Sequence, residues 1–226
     1  YGFLERQGQA NKEATIHGAG LSFGESGIVI LGKEGSGKTT LALELSLNYG
    51  FKLIANDLLV VGAQDHDLWM FGGTKHFFTR LQVIKDTRPE FLSFFSESGP
   101  KDPWMTRTSI LPEAIGVLTE DKPIKVKRAI VVHALANNDE VLTSPLNHRW
   151  CRLFLYENLS KYIRKTCLPI FAGQDDQYCI FSPILDTPAL HKNRVYIMEH
   201  LIGSSGLFHV TGGYQKIAKF ISNLMQ

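Results

Sequence analysis

Gly32-Lys33-Glu34-Gly35-Ser36-Gly37-Lys38-Thr39 sits between a short apolar run, Ile28–Leu31, and a leucine-rich stretch, Thr39–Tyr49. The octamer matches G-x-x-x-x-G-K-[ST], the spacing of a phosphate-binding loop. Its glycines permit backbone angles that aim successive N–H groups at one cluster of phosphate oxygens. A helix opening directly after the loop adds the positive end of its dipole. Lys38 is placed to reach the β- and γ-phosphates, and the Thr39 hydroxyl to ligate Mg²⁺. Average residue usage puts such an octamer in roughly one chain in a hundred of this length by chance. The expected nucleotide-binding set is Gly32, Lys33, Glu34, Gly35, Ser36, Gly37, Lys38, Thr39 and Thr40, with ATP as the nucleotide and Mg²⁺ as its metal.

Working outward, Ile28–Leu31 shows no polar alternation, as expected of a strand covered on both faces. Leucines 41, 43, 45 and 47 make the following helix apolar on more than one side, and Gly50 is a plausible C-terminal cap. Residues 51–55 read as the next strand, ending at Asn56-Asp57 and continuing extended through Leu58–Val61. Strand, loop, helix and strand at this spacing form one βαβ unit. Upstream, Ala14–His17 reads as a short strand leading into a glycine-rich turn, 18–27. Downstream, 68–71 and 77–84 read as strands joined by a Gly72-Gly73 turn, and 128–135 as a buried strand followed by a polar turn at 136–140. Residues 147–165 carry one apolar stripe (Leu155, Leu159, Tyr162, Ile163) with Trp150, Leu153 and Phe154 on another side, so that helix is buried twice or bends near 154. A last helix is expected at about 213–224, and 86–107, rich in turn formers and aromatics, is a candidate lid or substrate loop. The whole, residues 1–226, reads as a single α/β domain with a mixed, partly parallel sheet flanked by helices and a nucleotide-binding core at 14–62.

Composition removes several classes. In 226 residues, hydrophobic types make 44% and charged types 20%, ordinary globular usage that excludes a disordered chain. Twenty-four Lys+Arg against 22 Asp+Glu leave +2, which gives no charge basis for nucleic-acid binding. No apolar run approaches the roughly 20 residues of a membrane span, and the opening residues lack the apolar core of a signal peptide. Three cysteines, Cys151, Cys167 and Cys179, form neither C-x-x-C nor a Cys/His ligand pattern, so a reducing cytoplasm is the expected setting. The chain opens on Tyr1 rather than Met, which leaves open that it is part of a longer protein. Among nucleotide proteins, the missing N-K-x-D argues against a guanine-specific GTPase and the missing L-S-G-G-Q against a transporter ATPase.

Two residues outside the loop draw attention. Asp57, at the end of an apolar strand, is placed to lie beside Mg²⁺, or else closes the strand as an Asx turn. His17, fifteen residues before Gly32, is by itself more often a structural histidine than a site residue. Taken together, T-I-H-G at 15–18, G-I-V-I-L-G at 27–32, G-K-E-G-S-G-K-T-T-L-A-L-E-L at 32–45 and Y-G-F-K-L-I-A-N-D at 49–57 resemble the catalytic domain of the HPr kinase/phosphorylase family of serine kinases. The resemblance is specific over 14–62 and one of outline beyond it. It implies that His17 lies near the transferred phosphate and that Asp57 serves as base, as metal ligand, or as neither. The family's aspartate pair is here Asn56-Asp57, and an amide cannot accept a proton, although it can position a water or a phosphate oxygen. The family's later Glu-x-Arg-Gly-x-Gly signature is absent, with Arg80 alone near its place, which implies a one-way kinase. Family members often assemble into rings, so a homo-oligomer is an open expectation that no motif here decides.

The leading expectation is thus an ATP-dependent kinase transferring the γ-phosphoryl group to a hydroxyl, on Ser or Thr of a peptide or protein. Lys38, Asp57, His17 and Arg80 are its candidate catalytic residues, with Thr39 and Asp57 as candidate metal ligands. A small-metabolite kinase is the first alternative, with a deep pocket fed by Asp65, Asp67, Lys75 and His76. A nucleotide-dependent switch or weak ATPase is the second, kept open by Asn56.

Overall fold

The computed structural model describes residues 2–95, 102–135, 140–164, 185–205 and 207–226. After a first helix, α1 (Gly2–Ala10), come β1 (Glu13–Phe23), β2 (Ser26–Leu31), α2 (Lys38–Asn48), β3 (Lys52–Gln64) and β4 (Asp67–Gly73). Then follow β5 (Phe77–Arg80), α3 (Leu81–Thr87), a 3-10 segment (Pro89–Phe94), β6 (Arg107–Ile110), a second 3-10 segment (Pro112–Ile115) and β7 (Ile124–Leu135). The chain closes with β8 (Leu142–Pro145), α4 (His148–Arg164), α5 (Pro188–Ser205), β9 (Phe208–Gly213) and α6 (Tyr214–Met225). The fold is mixed α/β. Seven strands form one sheet in the order β2-β1-β3-β4-β7-β9-β8, and β7 also pairs with β2. Strands β1, β2, β3, β4 and β7 are therefore joined pairwise in a closed circuit. The β2–β7 and β7–β9 pairs are parallel, and the remaining pairs are antiparallel.

The unbroken apolar run in β2 is explained by helices on both sides of the sheet. Ile28 and Ile30 join a core that includes Leu41 and Leu45 of α2 and Ile217 and Ile221 of α6. Val29 and Leu31 join a second core with Leu155 and Leu159 of α4 and Ile197 and Leu201 of α5. Each such side chain, fully buried, contributes roughly 1.5–3 kcal/mol of transfer free energy. Helix α4 buries Cys151, Leu155, Leu159 and Ile163, one stripe at a spacing of four, and runs unbroken past Phe154. Among the described residues no helix is long and apolar enough to cross a membrane.

Several expectations change here. The strand read at 14–17 continues to Phe23, because Gly18 and Gly20 lie inside β1. A Cβ at Gly18 would come within 2.8 Å of the Ile30 carbonyl oxygen, and one at Gly20 within 2.7 Å of Leu59 Cδ1. These glycines serve close strand packing, and the turn is confined to Gly24-Glu25. β2 and β3 are not neighbours, since β1 lies between them and pairs antiparallel with both. Gly72 and Gly73 belong to β4 rather than to a turn; Gly73 has φ 149°, and a Cβ there would collide with the Leu58 carbonyl. Of the strand read at 77–84 only 77–80 is extended; it pairs with β6 in a separate two-stranded sheet, and 81–87 is helical. Residues 86–107 contain the end of α3, a 3-10 segment and the first residue of β6, and 96–101 lie outside the described residues, as do 136–139 of the polar turn. Helices α1 and α5 and strand β9 have no counterpart in the sequence reading.

Arg194 of α5 is fully buried and ties α1, α4 and α5 together. It donates to Gln9 Oε1 at 2.6 Å, to the Tyr156 hydroxyl at 3.2 Å and to both Asp186 carboxylate oxygens at 2.8 Å. Removing Arg194 leaves Gln9 Oε1 unpaired while Arg164 still pairs with Asp186 at 3.3 Å, a loss of about 1–3 kcal/mol. Arg194→Met is expected to lower unfolding free energy by that amount in urea denaturation; a loss below about 1 kcal/mol would contradict the assignment.

Candidate nucleotide and transfer site

The loop between β2 and α2 is anchored on β7. Ala134 N–H donates to the Ser36 carbonyl at 2.9 Å, and a Cβ on Gly37 would lie 2.6 Å from that of Ala134. Gly35 and Gly37 adopt φ 78° and 86°, left-handed angles that favour glycine. Helix α2 begins at Lys38 with Gly37 as its N-cap and no side-chain cap. Helix geometry leaves the first-turn N–H groups without intrahelical acceptors. Lys38 is 7% exposed, with Nζ donating at 2.9 Å to the carbonyls of Gly32 and of Lys33. Burial pulls its pKa from 10.5 down to about 8; Asp57 opposes the shift and Lys161 adds to it. The Ser36 hydroxyl is buried without a partner.

Across from the loop, antiparallel pairing of β1 with β3 sets Gly18 opposite Asp57 and His17 opposite Leu58. His17 Nδ1 then lies 2.8 Å from Asp57 Oδ1, a contact of ion-pair length rather than an in-line hydrogen bond. The His17 side chain, acting against burial, holds the Asp57 carboxyl below its usual pKa, with help from Lys161 and Lys38. Asp57 has φ 77°, between Asn56, whose N–H donates to the Thr74 carbonyl, and Leu58, whose carbonyl accepts from Thr74 N–H. Such backbone costs on the order of 1–3 kcal/mol, and Asp tolerates it better than most residues. Asn56 is 1% exposed. Its side-chain amide donates to the His76 carbonyl at 3.0 Å while Oδ1 has no partner, so it can accept from a hydroxyl or water. One N–H of the amide is used by His76, and the second N–H and Oδ1 carry no bond of their own.

Helix α4 supplies what the sequence reading missed. Asn158 Oδ1 accepts from His17 N–H at 2.7 Å, and its amide donates to the His17 carbonyl at 3.3 Å, which fixes the histidine's backbone from outside the sheet. Phe154, Glu157, Asn158 and Lys161 share one helix face at i, i+3, i+4, i+7 and all line the cleft. That stripe was readable in the sequence; the strand it would meet was not. From the β5–β6 arm, Arg80 and Arg107 are cross-strand partners. Both reach Glu34 Oε1, at 3.7 and 3.5 Å.

One cleft of about 1060 Å³ brings together Gly32–Thr40, His17, Asn56, Asp57, Arg80, Arg107, Lys161 and Arg164. Six cationic side chains line it against three carboxylates, so a chain of net charge +2 concentrates positive charge here. The residues expected to feed a metabolite pocket are elsewhere: Asp67 pairs with Lys125 at 2.6 Å, Lys75 with Asp121, and His76 meets the Ser109 hydroxyl at 3.0 Å. None of Asp65, Asp67, Lys75 or His76 lines the cleft. Among the described residues no group of three or more His, Cys, Asp or Glu could hold a metal by itself. Thr39 and Asp57, the expected metal ligands, both line the cleft, and two oxygen donors are too few to hold a cation without ligand oxygens and water.

No family model and no curated protein matches the chain by sequence. Among solved structures it is similar to the Hpr(Ser) kinase/phosphatase from Coxiella burnetii, at 14% identity and TM-score 0.33, over 58% of this chain and 72% of that one. A likeness this distant assigns neither fold nor site.

Lys38 links the site to pH. Folded Lys38 gives up its proton near pH 8 and the unfolded chain near 10.5, so between them the unfolded state binds more protons and stability rises with pH. Below pH 8 the buried charge costs about 3 kcal/mol. Lys38→Met is therefore expected to melt no lower than the parent at pH 7, while inorganic tripolyphosphate binding by the parent weakens above pH 8. A variant melting several degrees lower would contradict the cost assigned to this buried ammonium.

Proposed function

We propose that this chain is an ATP-dependent kinase that transfers the γ-phosphoryl group of MgATP to the hydroxyl of a serine or threonine in a peptide or protein. The observation that carries the reading is the convergence of Lys38 and the uncapped start of α2 with the His17–Asp57 pair in one positively charged cleft. Loop amides and Lys38 would hold the triphosphate, and binding a polyanion would restore the full charge on Lys38. When bound beside Thr39 and Asp57, Mg²⁺ would neutralise charge on the β- and γ-oxygens. The acceptor oxygen forms a bond to the γ-phosphorus as the bond to the β-bridging oxygen breaks, and ADP leaves. The acceptor proton passes to Asp57, which like any ordinary aspartate is ionised at neutral pH and which the His17 side chain keeps so. Asn56 Oδ1 is available to accept from the same hydroxyl and orient it. Arg80 and Arg107 are placed to meet charge at the cleft's rim.

A cleft of about 1060 Å³, near the upper end of small-ligand pocket volumes, leaves room for an acceptor beside the triphosphate. With Asn56 in the place of a second carboxylate, the proposed activity is kinase only, without the separate phosphorolysis of the phosphorylated product. The test is γ-labelled ATP with Mg²⁺ in a lysate, separated into protein, peptide and small-molecule fractions. Label is expected in a protein or peptide fraction with the parent and not with Lys38→Met. Asp57→Asn is expected to lose about 10²–10⁴-fold in transfer rate while MgATP binding stays within a few-fold. Label released only as free phosphate would contradict the kinase reading, and label on small molecules alone would contradict the acceptor class.

A further inference from the structure

A second cavity, about 360 Å³, lies against the same loop and is not bordered by His17 or Asp57. Lys33, Glu34, Gly35 and Ser36 border both cavities, so a ligand held by the loop reaches both at once. Its remaining wall comes from β7, β9 and the start of α4. Val132 and His133 lie on β7, and His209 on the neighbouring β9, where it is paired with Val131. Opposite stand Trp150 and Phe154, stacked with ring centroids 5.0 Å apart and planes 7° from parallel. Phe154 borders both cavities, while Trp150 borders only this one and remains 40% exposed. Trp150 is thus a large, partly exposed aromatic held parallel to a second ring beside the Gly32–Lys38 loop.

The two ends of a nucleoside triphosphate need different surroundings. Its phosphates need cations and N–H donors, which the main cleft supplies; its base needs an aromatic face and a few hydrogen-bonding groups at its edge. Resting on the nucleotide reading above, we infer that the second cavity is the base subsite: the heterocycle lies against the Trp150–Phe154 pair with its edge toward His133 and His209. The phosphates cross the loop into the main cleft and end at His17 and Asp57. Burial, and then the nearby His133, lower the pKa of His209, which favours the neutral ring; its Nδ1 meets the Thr211 hydroxyl at 3.5 Å, and Nε2 is the nitrogen left to meet the base edge.

Direct binding of MgATP and of magnesium tripolyphosphate, which has the phosphates without the base, tests this by calorimetry on the full chain. Trp150→Ala is expected to weaken MgATP by about 5- to 150-fold, the range of base–aromatic stacking, and to leave tripolyphosphate within about twofold. Trp150→Phe is expected to recover most of the loss. Unchanged MgATP affinity in Trp150→Ala would overturn the base subsite and leave the phosphate site standing. An equal loss for both ligands would also overturn it, because Trp150 would then be supporting the loop. If the parent binds neither ligand, the nucleotide reading itself fails, and with it this inference. Because Trp150 is partly exposed, its truncation leaves the core intact, and a melting curve for each variant verifies this.

Discussion

The site depends on how closely the Gly32–Lys38 loop lies on the end of β7. Ala134 N–H holds the Ser36 carbonyl, and Gly32 and Gly37 have no room for a Cβ against Val132 and Ala134. That contact fixes where α2 begins, and so where Lys38 enters the protein. Buried at the helix start, Lys38 has its Nζ folded back on the carbonyls of Gly32 and Lys33, and its pKa is reduced to about 8. A buried ammonium without a carboxylate partner is unfavourable for folding alone. On the proposed reading it would gain an electrostatic partner when a polyanion occupies the loop, which would tie the cost in stability to binding.

A second constraint acts at Asp57. Its left-handed backbone within a strand, the partnerless Oδ1 of Asn56 beside it and the contact with His17 all lie within a few residues. The first two are unfavourable for stability by themselves. Strain of this kind persists where the surroundings over-determine it and clusters at functional sites. Here the surroundings are Thr74, which bonds to residues on both sides of Asp57, and Asn158, which grips the backbone of His17. Helix α4 is therefore more than a cover for the sheet. One face closes the second core and the other presents Phe154, Asn158 and Lys161 to the cleft.

Much of this was legible in the sequence where chemistry is local. The octamer at 32–39 announced a loop between strand and helix, and the even burial of 28–31 announced helices on both faces. His17 and Asp57, forty residues apart, were singled out separately, and the structure brings them into contact. What the sequence concealed is long-range. Gly18 and Gly20 read as a turn because a glycine's local freedom is visible while the strand it lets approach is not. Gly72 and Gly73 misled for the same reason. The apolar 81–84 segment read as strand, although only Ile84 is buried and the segment is helical. Asn158 and Lys161 could be grouped on one helix face, but nothing local named β1 as their partner. Asp67 and Lys75 suggested a polar pocket and instead form separate ion pairs away from the cleft.

The central claim is that a triphosphate held by the loop ends at the His17–Asp57 pair. Histidine-selective NMR measures this directly, with the His17 ring signals assigned by their loss in His17→Gln. With Mg²⁺ present, saturating the chain with a non-hydrolysable ATP analogue should shift the His17 resonances strongly, and ADP should shift them far less, because ADP lacks the γ-phosphate that would lie beside the ring. Equal shifts with both nucleotides, or none with either at saturation, would contradict the account and place the transferred phosphate elsewhere.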